Sequence, residues 1–540
     1  MNANVYGPGS DALLHRHIFG RQLAPSPDLK LAKVWLEECR LNHDKCVKPT
    51  DAQLPLRLLD LDNPDTNSLD LRLVAGTKEK GIYATLSHCW GKSQPLRLLR
   101  DNLAKFEKCI EFAGLPRTFQ DAITVTRSLG LRYLWVDSLC IIQDSLSDWE
   151  KQCMEMARIY RDSYVTLAGP AASGCETGFL HLRPTSDQVT IQLDDEELEL
   201  EVALSCYDVG GESHCFWPER DSPLAKRAWV LQERMLSGRT LYFGTSRMYL
   251  ECHTNVSFED CHYPIVWEEK GVDMVIKHKV DDLHGETDRF KYWYALVSTY
   301  SGLDITKRTD RLPAFSGLAS EFGRLTRQRY GPERYHYAAG HWQEDMPRSL
   351  AWFTSPEDQT TERRHWASAS ASASVTQYIA PSWSWVSSPF KVKFLLLPGY
   401  PFNNELEKLE VMLEPAGLDP RGMLRSGCMD VIGRVLHGMV KRTGPQSANF
   451  RGSGRWPPPD TMEWYWDDHE GGPADEEGPE VEVDLLYFGL GEYRVCLILE
   501  PVVGQDNSYR RLGLVAERGN GHDFYRAWRV GSERKELRLV

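Results

Sequence analysis

Between residues 82 and 168 short apolar runs alternate with amphipathic ones, and this alternation constrains the fold more than any other feature of the chain. Ile82-Tyr83-Ala84-Thr85-Leu86 reads as a strand. Tyr133-Leu134-Trp135-Val136 reads as a second one, apolar throughout as a strand covered on both faces should be, and residues 164–168 as a third. The first intervening helix is expected to start at an N-cap Thr118 answered by Asp121, to present Phe119, Ala122, Ile123 and Thr126 on one face, and to end at Gly130. The second opens on Ser147-Asp148-Trp149-Glu150, which fits a capping box, and carries a stripe of Trp149, Cys153, Met156, Ala157 and Tyr160. Strand, helix, strand, helix, strand predicts an α/β core with a doubly wound, mostly parallel sheet. Parallel strands in such a sheet deliver their carboxyl ends to one edge, where ligands bind. Two strands end in polar residues, Ser87-His88-Cys89-Trp90-Gly91 and Asp137-Ser138-Leu139-Cys140, so both exits can line one crevice.

The remainder needs more than one core, because 540 residues at roughly 150 per domain imply three or four units. Residues 1–78 read as an N-terminal extension with a helix, 79–257 as the α/β core, 258–366 as mainly helical and 367–540 as β-rich. Within the core, a polar insertion at 181–220 precedes a helix expected from Asp221-Ser222-Pro223 to Leu236, then strands at 239–243 and 247–252. Helices are expected at 289–300 and 313–328, and strands at 431–435, 481–488, 493–499 and 512–516. The alternating Ala and Ser of 367–374 read as a surface loop. The Pro, Gly, Asp and Glu of 456–480 read as a disordered acidic insertion.

A formal net charge of -14 opposes a phosphate backbone or an acidic membrane, so nucleic-acid binding is not expected. The N-terminus lacks a basic start and an apolar stretch, and no run of about 18 apolar residues occurs, so a cytoplasmic protein without a membrane span is expected. The thirteen cysteines are an odd, scattered set and read as reduced thiols. Cys39, His43 and Cys46 share a helical face, which suggests zinc. A tetrahedral site needs a fourth ligand and none is near in sequence, so they read as packing residues and no metal is assigned.

Several residues could carry chemistry, each with a structural alternative. Asp137 directly follows a buried strand and could point a partly desolvated carboxylate into the crevice, or cap the next turn. Glu233, in Arg227-Ala228-Trp229-Val230-Leu231-Gln232-Glu233-Arg234, could be an acid or base, or could pair with Arg227, Arg234 or Arg239. Ala228, Leu231 and Met235 form one stripe of that helix and Trp229, Gln232, Glu233 and Leu236 another, so it is sandwiched or borders a pocket. Ser87, Trp90 and Gly91 offer a hydroxyl, an aromatic plate and a flexible backbone, although Trp90 could simply cover the sheet. Successive residues of a strand point to opposite faces, so His88 and Cys89 cannot form a nucleophilic dyad. Cys140 has no adjacent base and reads as a packed thiol. The chain has no phosphate-binding glycine loop, no H-E-x-x-H and no G-x-S-x-G, which disfavours P-loop and redox enzymes.

The ordered motifs Tyr83 to Gly91, Leu134 to Gln143, Asp148-Trp149 with Met156 and Ile159-Tyr160, and Arg227 to Arg234 resemble the fungal heterokaryon incompatibility (HET) domain. Trp35 and Cys39 before it, and Asp310 to Ala314 and Pro381 to Trp385 after it, look like the usual surroundings. The resemblance implies nonself recognition and regulated cell death. It also implies a TIR-like or flavodoxin-like core whose crevice could bind or hydrolyse NAD+, as a substrate and with no required cofactor. On that reading Glu233, Asp137 and Glu150 are the candidate catalytic carboxylates. Ser87, Trp90, Gly91, Trp229, Gln232 and Arg234 are the candidate binding residues. The glutamate that TIR domains carry a turn after a tryptophan is replaced in Trp149-Glu150-Lys151-Gln152-Cys153 by Gln and Cys, so its role does not transfer directly. A noncatalytic module working by self-association or by docking a partner is the alternative. No sensor domain is recognisable, so a separate sensor protein, the β-rich region or a homo-oligomer would supply activation.

Overall fold

Short apolar segments on both sides of residue 100 meet in one sheet, and that sheet positions every candidate residue. The computed structural model describes residues 2–6, 23–46, 52–62, 69–76, 79–91, 96–181, 187–192, 199–205, 222–259, 265–266, 285–355, 378–400, 402–444, 446–452, 462–467, 479–490, 493–518 and 531–540. The loop expected at 367–374 lies outside them. The chain divides into two compact units, residues 1–270 and 271–540.

The first unit runs α1 (Leu29–Asn42), β1 (Arg57–Asp60), β2 (Arg72–Ala75), β3 (Tyr83–Ser87), α2 (Arg117–Ser128), β4 (Tyr133–Trp135), α3 (Leu146–Arg161), β5 (Val165–Ala168), α4 (Ala228–Leu236), β6 (Arg239–Phe243), β7 (Met248–Cys252), β8 (Asn255–Phe258) and β9 (Ile265–Val266). The strands form one sheet in the order β9-β8-β7-β6-β5-β3-β4-β1-β2. Only β6, β5, β3 and β4 pair in parallel. Every other pairing is antiparallel, so the expected mostly parallel sheet is corrected to a mixed one. Antiparallel neighbours need no crossover, which lets local hairpins extend both edges of a parallel centre. One of those hairpins comes from residues 57–75, expected in the extension, whose Leu58, Leu59 and Leu73 are buried.

All of β3 and β5 is buried, as the absence of alternation in their sequences requires. From β3 the chain steps to β4 on one side and then to β5 on the other. The carboxyl ends of β3 and β5 therefore flank a point where successive connections diverge, the position at which α/β sheets hold ligands.

Helix starts differ from their sequence signals because loops compete for the same side chains. The N-cap position of α2 is Pro116, not Thr118. The Thr118 hydroxyl donates to the Gly174 carbonyl at 3.2 Å and accepts the Gly178 N–H at 3.1 Å, while Asp121 accepts the N–H groups of Phe179 and Leu180 at 2.7 and 3.0 Å. These two residues hold the 174–180 loop instead of capping their helix. The N-cap position of α3 is Ser145, so Ser147 lies inside the helix and no capping box forms. Asp148 instead accepts the Ile142 N–H at 2.8 Å and pairs with Arg57. The helix expected from Asp221 begins only at Ala228. Within the expected insertion at 181–220, Asp187–Gln192 and Glu199–Ser205 pair with each other, and the latter with Asn2–Tyr6, all antiparallel.

In the second unit helices Glu286–Ser301 and Pro313–Tyr330 form as expected, with Trp293 packed on Phe315, Phe322 and Trp342. The β-rich end closes on itself. Leu424–Gly444, Glu480–Leu490, Tyr493–Pro501, Ser508–Arg518 and Glu533–Leu539 pair in a ring that returns to its first strand. Closure satisfies the backbone groups that an open edge would expose. The acidic insertion expected at 456–480 is corrected in part. Its residues Met462–Trp466 form a strand on Ser508–Arg518 with Trp464 buried, and the rest, apart from Asp467, 479 and 480, lies outside the described residues. Among the described residues no helix is long and apolar enough to cross a membrane.

Candidate functional site

Ser87 ends β3, Asp137 opens the short helix Asp137–Cys140 just beyond β4, and Glu233 projects from α4. Residues 230–236 of α4 are all buried, as expected for a helix with two packed faces. Two hydrogen-bonded pairs result. The Ser87 hydroxyl donates to Glu233 Oε2 at 2.5 Å, and the Trp90 indole N–H donates to Asp137 Oδ2 at 3.0 Å. Asp137 Oδ1 also accepts the Ser138 N–H at 2.7 Å, so one oxygen caps the turn while the other faces the loop after β3.

Burial governs the electrostatics. Glu233 is only 6% exposed, and desolvation pushes its carboxyl up to about 7. The Ser87 hydrogen bond opposes the rise, the Asp137 charge adds to it, and Arg227 and Tyr160 oppose it. Tyr160 donates to the Leu86 carbonyl at 3.2 Å. His88 Nδ1 lies 3.7 Å from Asp137 Oδ1, a close approach longer than a hydrogen bond. Burial holds His88 down to about 4, outweighing the Asp137 charge, so the imidazole is neutral at physiological pH. Arg227 donates to the His88 carbonyl and thereby ties the start of α4 to the end of β3. Among the described residues, His88 Nε2 and Ser138 Oγ are buried with no hydrogen-bond partner. They are two of several such buried atoms in the protein, and a bound group could satisfy them.

The structure brings together Ser87, Trp90, Asp137 and Glu233. Trp229, four residues before Glu233 and on the same face of α4, is half-buried. Gln232 is fully buried. Arg234, expected among the binding residues, forks its guanidinium onto Glu251 at 3.0 and 2.6 Å in a buried pair, and Tyr242 donates to the same carboxylate at 3.0 Å. Arg239, also considered as a partner of Glu233, donates to Cys39 Sγ and the Tyr164 carbonyl. Glu150 is the fifth residue of α3, and no hydrogen bond among the described residues joins it to the cluster. Cys140 is fully buried and its thiol is pushed up to about 12, as a packed cysteine should be. Sequence reasoning passed over His88 and Tyr160, because one was judged only as a nucleophile and the other only as part of a helix stripe.

Gly91 adopts φ +81°, and a Cβ there would lie 3.0 Å from the Gly174 Cα. Gly91→Ala is therefore expected to cost about 1–2 kcal/mol in urea unfolding and to displace Trp90, read as a change in tryptophan fluorescence. Unchanged stability and emission would show that the loop tolerates the strain.

Residues 83–233 match the family model described as Heterokaryon incompatibility protein (HET). The chain carries a HET domain. The matched segment begins at the first residue of β3 and ends at Glu233, so it encloses all four clustered residues. The HET domain implies a role in heterokaryon incompatibility and cell death. No curated protein and no solved structure matches the chain significantly.

Proposed function

We propose that this HET-domain protein is an effector of fungal nonself recognition and regulated cell death, and that it acts by cleaving NAD+ at the crevice beyond β3, β4 and β5. The single observation that carries the reading is the pairing of Ser87 with the buried Glu233 beside the Asp137–Trp90 pair, at the carboxyl ends of parallel strands. Hydrolysis breaks the bond between nicotinamide nitrogen and ribose C1′, and the electron pair leaves with nicotinamide. Positive charge then develops on the ribose, where the Asp137 carboxylate stabilises it and Trp90 stacks on a ring. Water adds to C1′ and gives its proton to ionised Glu233, held in place by Ser87. The orphaned His88 Nε2 and Ser138 Oγ supply further polar contacts. The alternative, a noncatalytic module that works by self-association or by docking a sensor protein, draws support from the burial of Ser87 and Glu233, which are 3% and 6% exposed.

Incubating the purified full chain with NAD+ and following nicotinamide separates the two. Release by wild type that is lost in Asp137→Asn and retained in Glu150→Gln supports the enzyme. No release at high protein concentration, with growth arrest on expression intact, assigns the domain to docking.

A further inference from the structure

Cys39 lies in the last turn of α1, His43 follows as its C-cap residue, and Cys46 comes in the next turn. The fourth residue that the sequence neighbourhood did not provide is Cys252, at the end of β7 and 209 positions from His43. One ligand atom from each of these four residues lies within 4.8 Å of all the others. The Cys252 and Cys46 sulfurs are 3.4 and 3.9 Å from His43 Nδ1. A tetrahedral zinc with metal–sulfur bonds of about 2.3 Å places its sulfurs about 3.8 Å apart, so small rotamer adjustments suffice. We propose that Cys39, His43, Cys46 and Cys252 form a structural Cys3His zinc site that clamps the N-terminal helix to the sheet of the HET domain.

The surroundings have the character of a metal site. The Arg239 guanidinium donates to Cys39 Sγ at 3.1 Å, and the backbone N–H groups of Thr254 and Asn255 both donate to Cys252 Sγ at 3.4 Å. Such donors stabilise thiolates, which are the ligands zinc requires. Three thiolates on one divalent cation leave a net negative charge, and Arg239 offsets it. The Asn255 side-chain amide lies 3.4 Å from His43 Nε2. The facing atom is the amide nitrogen, so with Nδ1 on the metal and the proton on Nε2 the Asn255 amide must turn over to accept that proton through its oxygen and fix the ring. Cys39, Cys46 and Cys252 are buried and His43 is half-buried, and all four tetrahedral positions are filled by protein, the pattern of a closed structural site and not of a catalytic one. Every ligand lies outside the matched segment 83–233, so the clamp adds a part of the fold that the family match does not cover.

Metal analysis of the full chain purified without chelator is expected to find about one zinc per chain, falling below about 0.2 in Cys252→Ser and in His43→Ala and unchanged in Cys153→Ser, whose thiol lies elsewhere on α3. Should the ligand variants fail to fold, wild type alone gives a second readout. Exchange with cobalt(II) is expected to produce the visible bands of a tetrahedral site and a thiolate charge-transfer band, and zinc should abolish both. Wild type that binds neither zinc nor cobalt, or a disulfide within the cluster found by mass spectrometry of the native chain, would overturn the proposal.

Discussion

Glu233→Gln is expected to lower nicotinamide release from NAD+ by about 100-fold or more, because it removes the proton acceptor and keeps the shape. Wild-type activity should rise with pH through about 7, where Glu233 ionises, and the variant should lose that limb. Stability should move the other way. An unfolded glutamate ionises near its ordinary value of 4.5, whereas the folded group holds its proton to about 7. Below 4.5 both states are protonated and there is no penalty. Between 4.5 and 7 only the unfolded state gains by ionising, so folding stability declines as pH rises, and above 7 the deficit is constant. Glu233→Gln removes a deficit of about 3 kcal/mol at pH 8 and none at pH 4. Denaturant melts at both pH values check the sign. Equal effects at the two would mean that Glu233 is not the group strained by burial. Inactive yet more stable at high pH is the pattern of a functional carboxylate; inactive and less stable at both is that of a structural one.

Glu251→Gln is expected to cost about 3–5 kcal/mol, because it leaves the Arg234 guanidinium buried without its counter-charge. The pair is almost wholly out of water, with side chains 8% and 4% exposed; burial alone would lower the arginine, and the Glu251 charge and hydrogen bond together with Tyr242 and Tyr249 more than restore it. Replacing both partners by apolar residues, Arg234→Met with Glu251→Leu, should recover most of the loss, since an apolar pair has no charge to desolvate. A double variant no more stable than Glu251→Gln would show that the pair contributes through geometry alone. Arg234 directly follows Glu233 on α4, so the same measurement bears on the site: slippage of the helix should also weaken the Ser87–Glu233 bond and reduce activity.

Much of the architecture was legible because local pattern and environment agree. The unbroken apolar runs at β3, β4 and β5 needed cover on both faces and received it. Arg239–Phe243 formed as expected from its own sequence. The errors fall where one side chain has two uses. Thr118 and Ser147 are good cap residues in isolation, yet Thr118 serves a loop more than fifty positions away and Ser147 is already the second residue of its helix. The hairpin of β1 and β2 is too short to show a period, and only pairing with β4 makes it part of the sheet.

The sequence by itself determined the strand and helix types of the central region, the polar exits at Ser87 and Asp137, and the motif order by which a HET domain is identified, since all of these depend on neighbours within a few residues. Tertiary structure decided which of those groups meet. Glu233 was one carboxylate among several until burial and the Ser87 hydroxyl set its proton affinity, and Arg234, equally conspicuous, was claimed by Glu251. Cys39, His43 and Cys46 remained three residues at and just beyond the end of one helix until β7 brought Cys252 beside them. Desolvation and ligand geometry are properties of what surrounds a side chain in space, and no spacing along the chain encodes them directly.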